Sequence, residues 1–346
     1  MSKVVFLSVL LSLVVNLFSA WFVPQTASAA TLRQAATARN FLIGSAGSYW
    51  RFTNDASYQN LLANEFNLVT PENEMKWVAT EPNQGKFTFY AADQMVKYAQ
   101  SKGMRIHGHT LVWHQGLPAW VQNGNFTRDQ LIAIMKNHIQ TVVSRYKGKV
   151  QEWDVVNEAI EHKGNGLRDN IFLRVIGPEY IALAFQFAHE ADPDAILYYN
   201  DYSTEIWPLK SSTQYSLLQG LVASGVPVNG VGLQMHEYTD TAIPLGTYAN
   251  ELSLLGNLGL RVSITEYDAS GIQPASKTPD VRASIQAQNY SNALSACLSV
   301  AACKSFTTWG LADPFSFQPT FVPLMRDASM NPKPAYNSVL NTLQTF

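Results

Sequence analysis

Along most of this chain, short apolar runs rich in β-branched residues alternate with longer stretches whose apolar positions recur at helical spacing. The first kind predicts buried strands and the second amphipathic helices. The strand-like runs are Leu42–Ala46, Asn67–Thr70, Met104–Val112, Gln151–Asn157, Ile196–Asn200, Gly230–His236, Leu260–Glu266 and Ser305–Trp309. The helical stretches are Asp55–Asn64, Tyr90–Lys102, Thr127–Tyr146, Pro178–Ala191, Lys210–Ser224, Leu245–Leu258, Ala283–Leu298 and Pro334–Leu343. Thr127 with Asp129, and Pro178-Glu179, suit helix starts; Gly103, Gly225 and Gly259 suit helix stops. Eight such repeats without a Pro/Gly/Ser-rich linker predict an α/β architecture, a single (β/α)8 TIM barrel. A doubly wound open sheet is the rival. Polar residues gather at nearly all strand ends, and no Gly-x-Gly-x-x-Gly turn follows the first strand, so the barrel is preferred.

The first residues break this pattern. Lys3 is the sole charge before Arg33, Val4 to Phe18 is almost wholly apolar, and Ala27-Ser28-Ala29 is a small-residue cleavage motif. Residues 1–29 therefore read as a secretory signal peptide and predict an extracellular protein. An uncleaved anchor is the alternative, because apolar character continues through Trp21-Phe22-Val23. No later segment is long and apolar enough to span a bilayer, so no membrane association is expected after cleavage.

Composition narrows the classes further. At 47% apolar and 14% charged, the chain has material for a sizeable core and is not a disordered one. A formal charge of −2 without a basic stripe makes nucleic acid a poor partner. Export permits a disulfide between the two cysteines, Cys297 and Cys303. On one continuous helix they would lie nearly two turns apart, too far to bond. They can pair if the helix ends between them, which Val300-Ala301-Ala302 allows; two buried thiols are the alternative.

The chemistry sits at the strand ends. Trp153-Asp154-Val155-Val156-Asn157-Glu158 and Ile264-Thr265-Glu266 are apolar runs that stop at a glutamate. Active sites of such barrels lie at the carboxyl ends of the strands, so distant segments deliver both carboxylates to one place. Two carboxylates are the minimum equipment for cleaving a glycosidic bond. The other strand ends add Glu72, Asn73, Lys76, His109, Trp113, Gln234, His236, Asp268 and Trp309, a set rich in amide, imidazole and indole. Planar polar groups pair with adjacent hydroxyls and indoles cover pyranose faces, which is carbohydrate chemistry. A zinc site from His107, His109, His114 and Glu158 is the competing reading. It is set aside for want of a His-Glu-x-x-His helix, and no metal or other cofactor is expected.

In these segments the chain resembles glycoside hydrolase family 10 endo-β-1,4-xylanases. The matching segments are Thr-Pro-Glu-Asn-Glu-Met-Lys-Trp (70–77), Gly-His-Thr-Leu-Val-Trp-His (108–114), Trp-Asp-Val-Val-Asn-Glu-Ala (153–159), Tyr-Asn-Asp-Tyr (199–202), Gln-x-His (234–236), Ile-Thr-Glu-x-Asp (264–268) and Trp-Gly-x-x-Asp (309–313). The resemblance implies one catalytic domain over residues 30–346 that hydrolyses xylan with retention. It implies Glu158 as acid/base and Glu266 as nucleophile, oriented by His236 and Asp268. It also implies Asn157 on the sugar 2-hydroxyl, with Glu72, Asn73, Lys76, His109, Trp113, Gln234 and Trp309 binding substrate. Asn200 and Asp201 are expected behind these, and Glu74 and Trp77 in packing roles; His107 and His114 are open between the two. Xylan and xylo-oligosaccharides would be the partners, and a monomer is the default.

Three positions depart from the family pattern. Gly116 stands where a glutamine is usual, with Gln115 one position earlier. Phe317 stands where many members carry tryptophan, so it is expected to cover the nearest subsite with a smaller stacking face. Tyr267 replaces a leucine between Glu266 and Asp268, and strand alternation points it away from the site. The first two keep open a relative acting on aryl glycosides or plant glycoalkaloid sugar chains; a non-catalytic carbohydrate-binding barrel is the remote alternative.

Overall fold

A computed structural model describes residues 30–346, and the expected signal segment, residues 1–29, lies outside them. Among the described residues, strands form at β1 (Leu42–Gly47), β2 (Leu68–Pro71), β3 (Arg105–Gly108), β4 (Val112–Trp113) and β5 (Glu152–Asn157). They continue with β6 (Ile196–Asp201), β7 (Gly230–Leu233), β8 (His236–Glu237), β9 (Arg261–Ala269) and β10 (Cys303–Thr308). Strands β1, β2, β3, β5, β6, β7, β9 and β10 are parallel neighbours in that order, and β10 pairs back onto β1. The closed eight-stranded barrel read from the alternating pattern is thus the fold. Strand β4 extends the wall beside the end of β5, and β8 does so beside the end of β9.

Helix α1 (Leu32–Ala38) precedes the barrel, started by a capping box between Thr31 and Gln34. The loop elements and crossovers then follow as α2 (Tyr49–Asn54), α3 (Ala56–Glu65), α4 (Trp77–Thr80), α5 (Tyr90–Ser101), α6 (Ala119–Gln122), α7 (Arg128–Arg145) and α8 (Ile171–Val175). The remainder are α9 (Tyr180–Ala191), α10 (Pro208–Ala223), α11 (Leu245–Gly256), α12 (Pro279–Ser299) and α13 (Pro334–Thr345). A second capping box, Thr127 with Gln130, opens α7, and Gly103, Gly225 and Gly259 have the left-handed φ that ends a helix.

Two strand expectations need correction. The run Met104–Val112 breaks after Gly108, where the His109-Thr110 peptide is cis and Leu111 donates to the Asp154 carbonyl at 3.0 Å. The run Gly230–His236 breaks at Met235, whose φ of 55° is left-handed. Both breaks put polar side chains into the barrel mouth instead of continuing the ladder.

The apolar side chains of Leu197, Tyr199, Val231, Val262, Ile264 and Phe306 are buried. The barrel interior, by contrast, carries a polar ladder. Glu152 lies within 3.5 Å of both Arg105 and Arg261, and its other oxygen faces His107 Nδ1 at 3.3 Å. His107 Nε2 meets Asp154 at 2.8 Å, and Asp154 meets His109 Nδ1 at 2.8 Å. Burial opposes the charge on His107, but Asp154 and Glu152 overcome it and raise the imidazole to about 10. Because this value lies above the ordinary 6.5, the contribution of His107 to stability is complete below that pH and fades as pH rises toward about 10. His107→Ala removes the cation between two buried carboxylates and leaves Glu152 only Arg105 and Arg261, and Asp154 only His109, so a loss of about 3 kcal/mol is expected in urea unfolding near neutral pH. The variant should also lack the alkaline decline of the wild type; equal slopes in the two proteins would sink this account.

Helix α12 ends at Ser299, Val300 turns extended, and Cys303 opens β10, so the two cysteines meet as a disulfide with Cα atoms 5.2 Å apart. The helix stop, not the spacing, makes the bond geometrically possible. Replacing both cysteines by alanine should cost about 2 kcal/mol through the lost loop constraint. An unchanged urea midpoint would contradict that.

Candidate active site

A cleft of about 560 Å³ opens at the carboxyl ends of the strands. The loop after β2 supplies Glu72, Asn73 and Lys76 to its lining, and the segment from β3 to β4 supplies His109 and Trp113. Asn157 and Glu158 come from the end of β5, Gln234 and His236 from the broken edge of β7 and β8, and Glu266 from β9. Trp309 and Phe317 close it from beyond β10. Every residue expected to bind substrate or act on it is therefore gathered here, while Asp268 lies fully buried behind His236.

Glu158 leaves β5 in a left-handed conformation, φ 56°, pinned by its N–H to the Asn200 carbonyl at 2.8 Å and its own carbonyl to Arg168 Nε at 3.0 Å. A non-glycine residue holds this conformation only where its surroundings impose it, and such positions concentrate at functional sites. Its carboxyl is mostly buried and accepts from Gln234 Nε2 at 3.2 Å. Burial raises its pKa, and the charges of Asp201 and Glu266 push the same way, while Trp113 and Gln234 partly offset them.

Glu266 is held differently. Its Oε1 accepts from Asn200 Nδ2 at 2.7 Å and its Oε2 faces His236 Nε2 at 3.3 Å. On the far side of that ring, Nδ1 is 3.2 Å from Asp268 Oδ1, within ion-pair reach though off the line of a hydrogen bond. Burial works against a charged His236, but Asp268 and Glu266 outweigh it and lift the ring to about 10. A cationic imidazole thus sits against one oxygen of Glu266. Asn200 Nδ2 also donates to Asn157 Oδ1 at 2.9 Å, and Gln234 Nε2 reaches that oxygen at 3.3 Å. An unbroken amide chain, Gln234–Asn157–Asn200, therefore links the two carboxyl groups and fixes their relative positions.

The wall beside Glu266 is basic and aromatic. Lys76 Nζ donates to Asn73 Oδ1 at 2.9 Å and lies 5.0 Å from the Trp113 ring centre. Burial lowers the Lys76 pKa, with Glu266 and Glu72 opposing; burial likewise raises Glu72. Trp309 stands edge-on to His109 at 5.1 Å, and the half-exposed Phe317 stands edge-on to His236 at 5.0 Å. One carboxyl whose pKa is raised by burial and one gripped by donors, in a cleft walled by indoles and amides, can perform acid–base and nucleophilic chemistry on a sugar acetal.

The model of glycosyl hydrolase family 10 matches residues 31–342. The chain belongs to that family. Among family 10 relatives, endo-1,4-β-xylanase 2 of Aureobasidium pullulans is 40% identical over 82% of this chain and 81% of its own length. Endo-1,4-β-xylanase B of Thermotoga neapolitana is 37% identical over 90% of this chain and 91% of its own. The crystal structure of xylanase 10B from Thermotoga petrophila in complex with xylobiose superposes with a TM-score of 0.86 at 38% identity, covering 91% of this chain and 97% of that one.

Within this family 10 site, the flanking residues fall largely as read. Trp77 is buried against His138, ring centres 3.8 Å apart, and donates to Glu81 at 3.0 Å. Glu74 accepts the backbone N–H groups of Tyr49 and Asn73, which is a packing role. Asn200 and Asp201 lie behind the lining, Asp201 with Lys210 Nζ at 2.8 Å. His114 borders a small void beside Glu158, and burial with nearby Arg168 lowers it to about 4. Tyr267 points into packing between Tyr290 and Phe306, away from the cleft. A side chain at Gly116 would press on the Trp113 ring at 3.2 Å, and it is Gln115 that lines the cleft.

Beside Tyr202, from the end of β6, the cleft has walls that strand-end reasoning missed: His162, Ser203, Trp207, Tyr238 and Gln318. His162 packs on Trp207 at 4.7 Å and on Tyr202 at 5.8 Å, and Arg168 holds the Tyr202 hydroxyl at 2.8 Å. Only Tyr202 carried a signal, in Tyr199-Asn200-Asp201-Tyr202; the others lie in loops with no periodicity.

Proposed function

We propose that this chain is a retaining endo-1,4-β-xylanase, exported by residues 1–29, that hydrolyses internal bonds of the xylan backbone. The observation that carries the chemistry is the unequal pair: Glu158, with a raised pKa, shares one cleft with Glu266, which is held by Asn200 and cationic His236. The named activity of the relatives supports the substrate class.

In the first step Glu266 attacks the anomeric carbon while Glu158 protonates the departing glycosidic oxygen, leaving a covalent glycosyl-enzyme. In the second, Glu158, now a carboxylate, takes a proton from water as its oxygen attacks the same carbon and Glu266 leaves. Two inversions give retention. Asn157 holds the 2-hydroxyl, a contact that strengthens in the transition state. His236, backed by Asp268, orients Glu266. The cycle uses only side chains of this chain.

The test is product release by residues 30–346 on unbranched xylan, soluble cellulose and an aryl β-glycoside panel, with the anomer followed by NMR. Short β-configured xylo-oligosaccharides from xylan, with cellulose untouched, are expected. Activity confined to other glycosides would overturn the substrate assignment and direct attention to Phe317, whose ring stands half-exposed at the rim. No turnover on any of them would favour a binding protein.

A further inference from the structure

A second cavity, about 400 Å³, lies against the catalytic cleft and shares a wall with it: Asn73 lines both. Its other walls include Tyr49, Trp50, Glu74, Thr88 and Tyr90. Tyr90 and Trp50 are the most exposed large apolar side chains among the described residues, at 71% and 66%. Aromatic area left in water on a rigid support marks a binding surface more often than a packing fault.

The support is rigid. Ser48 N–H donates to the Tyr58 hydroxyl at 3.3 Å and Tyr49 N–H to Glu74 Oε1 at 2.7 Å, which fixes the start of α2. Glu74 Oε2 accepts the Asn73 N–H at 3.1 Å, so one carboxylate ties α2 to the residue that both cavities share. Arg51 lies 3.9 Å from the Phe315 ring centre and 5.7 Å from that of Trp50, against the indole. Tyr49 meets Tyr90 edge-on at 6.1 Å, bridging α2 and the first residue of α5. Arg51 also bears electrostatically on Glu72, inside the cleft. The two cavities thus meet at Asn73, which lines both.

We propose that this cavity is a distal subsite of the cleft, in which Trp50 and Tyr90 stack on pyranose rings of a β-1,4-linked xylan chain beyond those held at Glu72, Asn73 and Lys76. The assignment rests on the xylanase reading above. The occupant follows from continuity: a polymer threaded through the cleft past Asn73 runs onto this surface next. Xylose rings, lacking a hydroxymethyl group, present flat faces to indole and phenol. Asn73, Glu74 and Thr88 offer polar partners for their hydroxyls.

The experiment compares kcat/KM on xylohexaose and xylotriose for the wild type, Trp50→Ala and Tyr90→Ala. Both side chains project into solvent, and an unchanged thermal midpoint verifies the fold. The hexaose-to-triose ratio should fall by about tenfold in Trp50→Ala, the scale of one lost stacking contact, and by less in Tyr90→Ala. Cleavage of both substrates with the ratio unchanged in both variants overturns the subsite and leaves the xylanase reading intact. An unchanged ratio with weakened adsorption to insoluble xylan also overturns it, since the surface would then act apart from the cleft. No cleavage of xylohexaose by the wild type overturns the functional reading and the subsite together.

Discussion

Glu266→Ala should lower kcat on xylan by about four to six orders of magnitude, the scale seen when a covalent nucleophile is removed from an otherwise intact site. The loss has a physical cause beyond the missing oxygen. Asn200 Nδ2 and cationic His236 are arranged around that carboxylate, and without it they face an empty, water-filled space. Azide is small enough to enter there. In Glu266→Ala it should attack the anomeric carbon of an activated aryl xylobioside directly and yield the α-glycosyl azide. In Glu158→Ala the glycosyl-enzyme still forms from such a substrate, and azide attacking it yields the β-azide. Product configuration, read by NMR, therefore assigns the two roles independently. Azide products of the opposite configuration would exchange them.

Glu158→Gln should reduce turnover on xylan by about 10²- to 10⁴-fold, because the departing sugar oxygen is a poor leaving group without a proton. An aryl glycoside with an acidic phenol needs that proton far less, so its glycosylation step should fall much less. The pH profile supplies the second readout. The raised pKa of Glu158 means its acid form persists above the ordinary glutamate range, and activity should decline only as pH climbs through that raised value. The alkaline limb of kcat/KM should vanish in Glu158→Gln, whose amide does not titrate. A limb that survives the substitution would move the general acid elsewhere.

Much of this was readable because the relevant signals are local. Alternating runs with apolar β-branched content announced eight strands, and the residues at their ends announced the chemistry. Glutamates that terminate apolar strands, Asn157-Glu158 and Thr265-Glu266, need no long-range information to be noticed. Buried polar residues within the strands were less visible. Asp154 sits inside an apolar run and was passed over, yet it joins His107 to His109 beneath the cleft. Its role is legible only when the neighbouring strand is in place. The aromatic wall of His162, Tyr202 and Trp207 is likewise assembled from separate loops, whose geometry no period encodes.

The inward aim of the active-site residues shows where sequence stops. Strict alternation from Glu152 and Asp154, which face the interior, would turn Asn157 outward with Trp153 and Val155. Instead β5 advances from Asp154 to Asn157 while β6 advances only from Tyr198 to Asn200, a bulge that returns Asn157 to the interior opposite Asn200. The same shift occurs where β9 advances from Ile264 to Tyr267 while β10 advances from Phe306 to Thr308. It lets Thr265 bond to Asn200 while the adjacent Glu266 also enters the cleft. By itself the sequence determined the number and order of the strands, several helix caps and the placing of two glutamates at strand ends, because each is set by residues close in the chain. Only the tertiary structure decided which way those carboxylates point, since a bulge exists relative to a neighbouring strand and is invisible until the barrel closes.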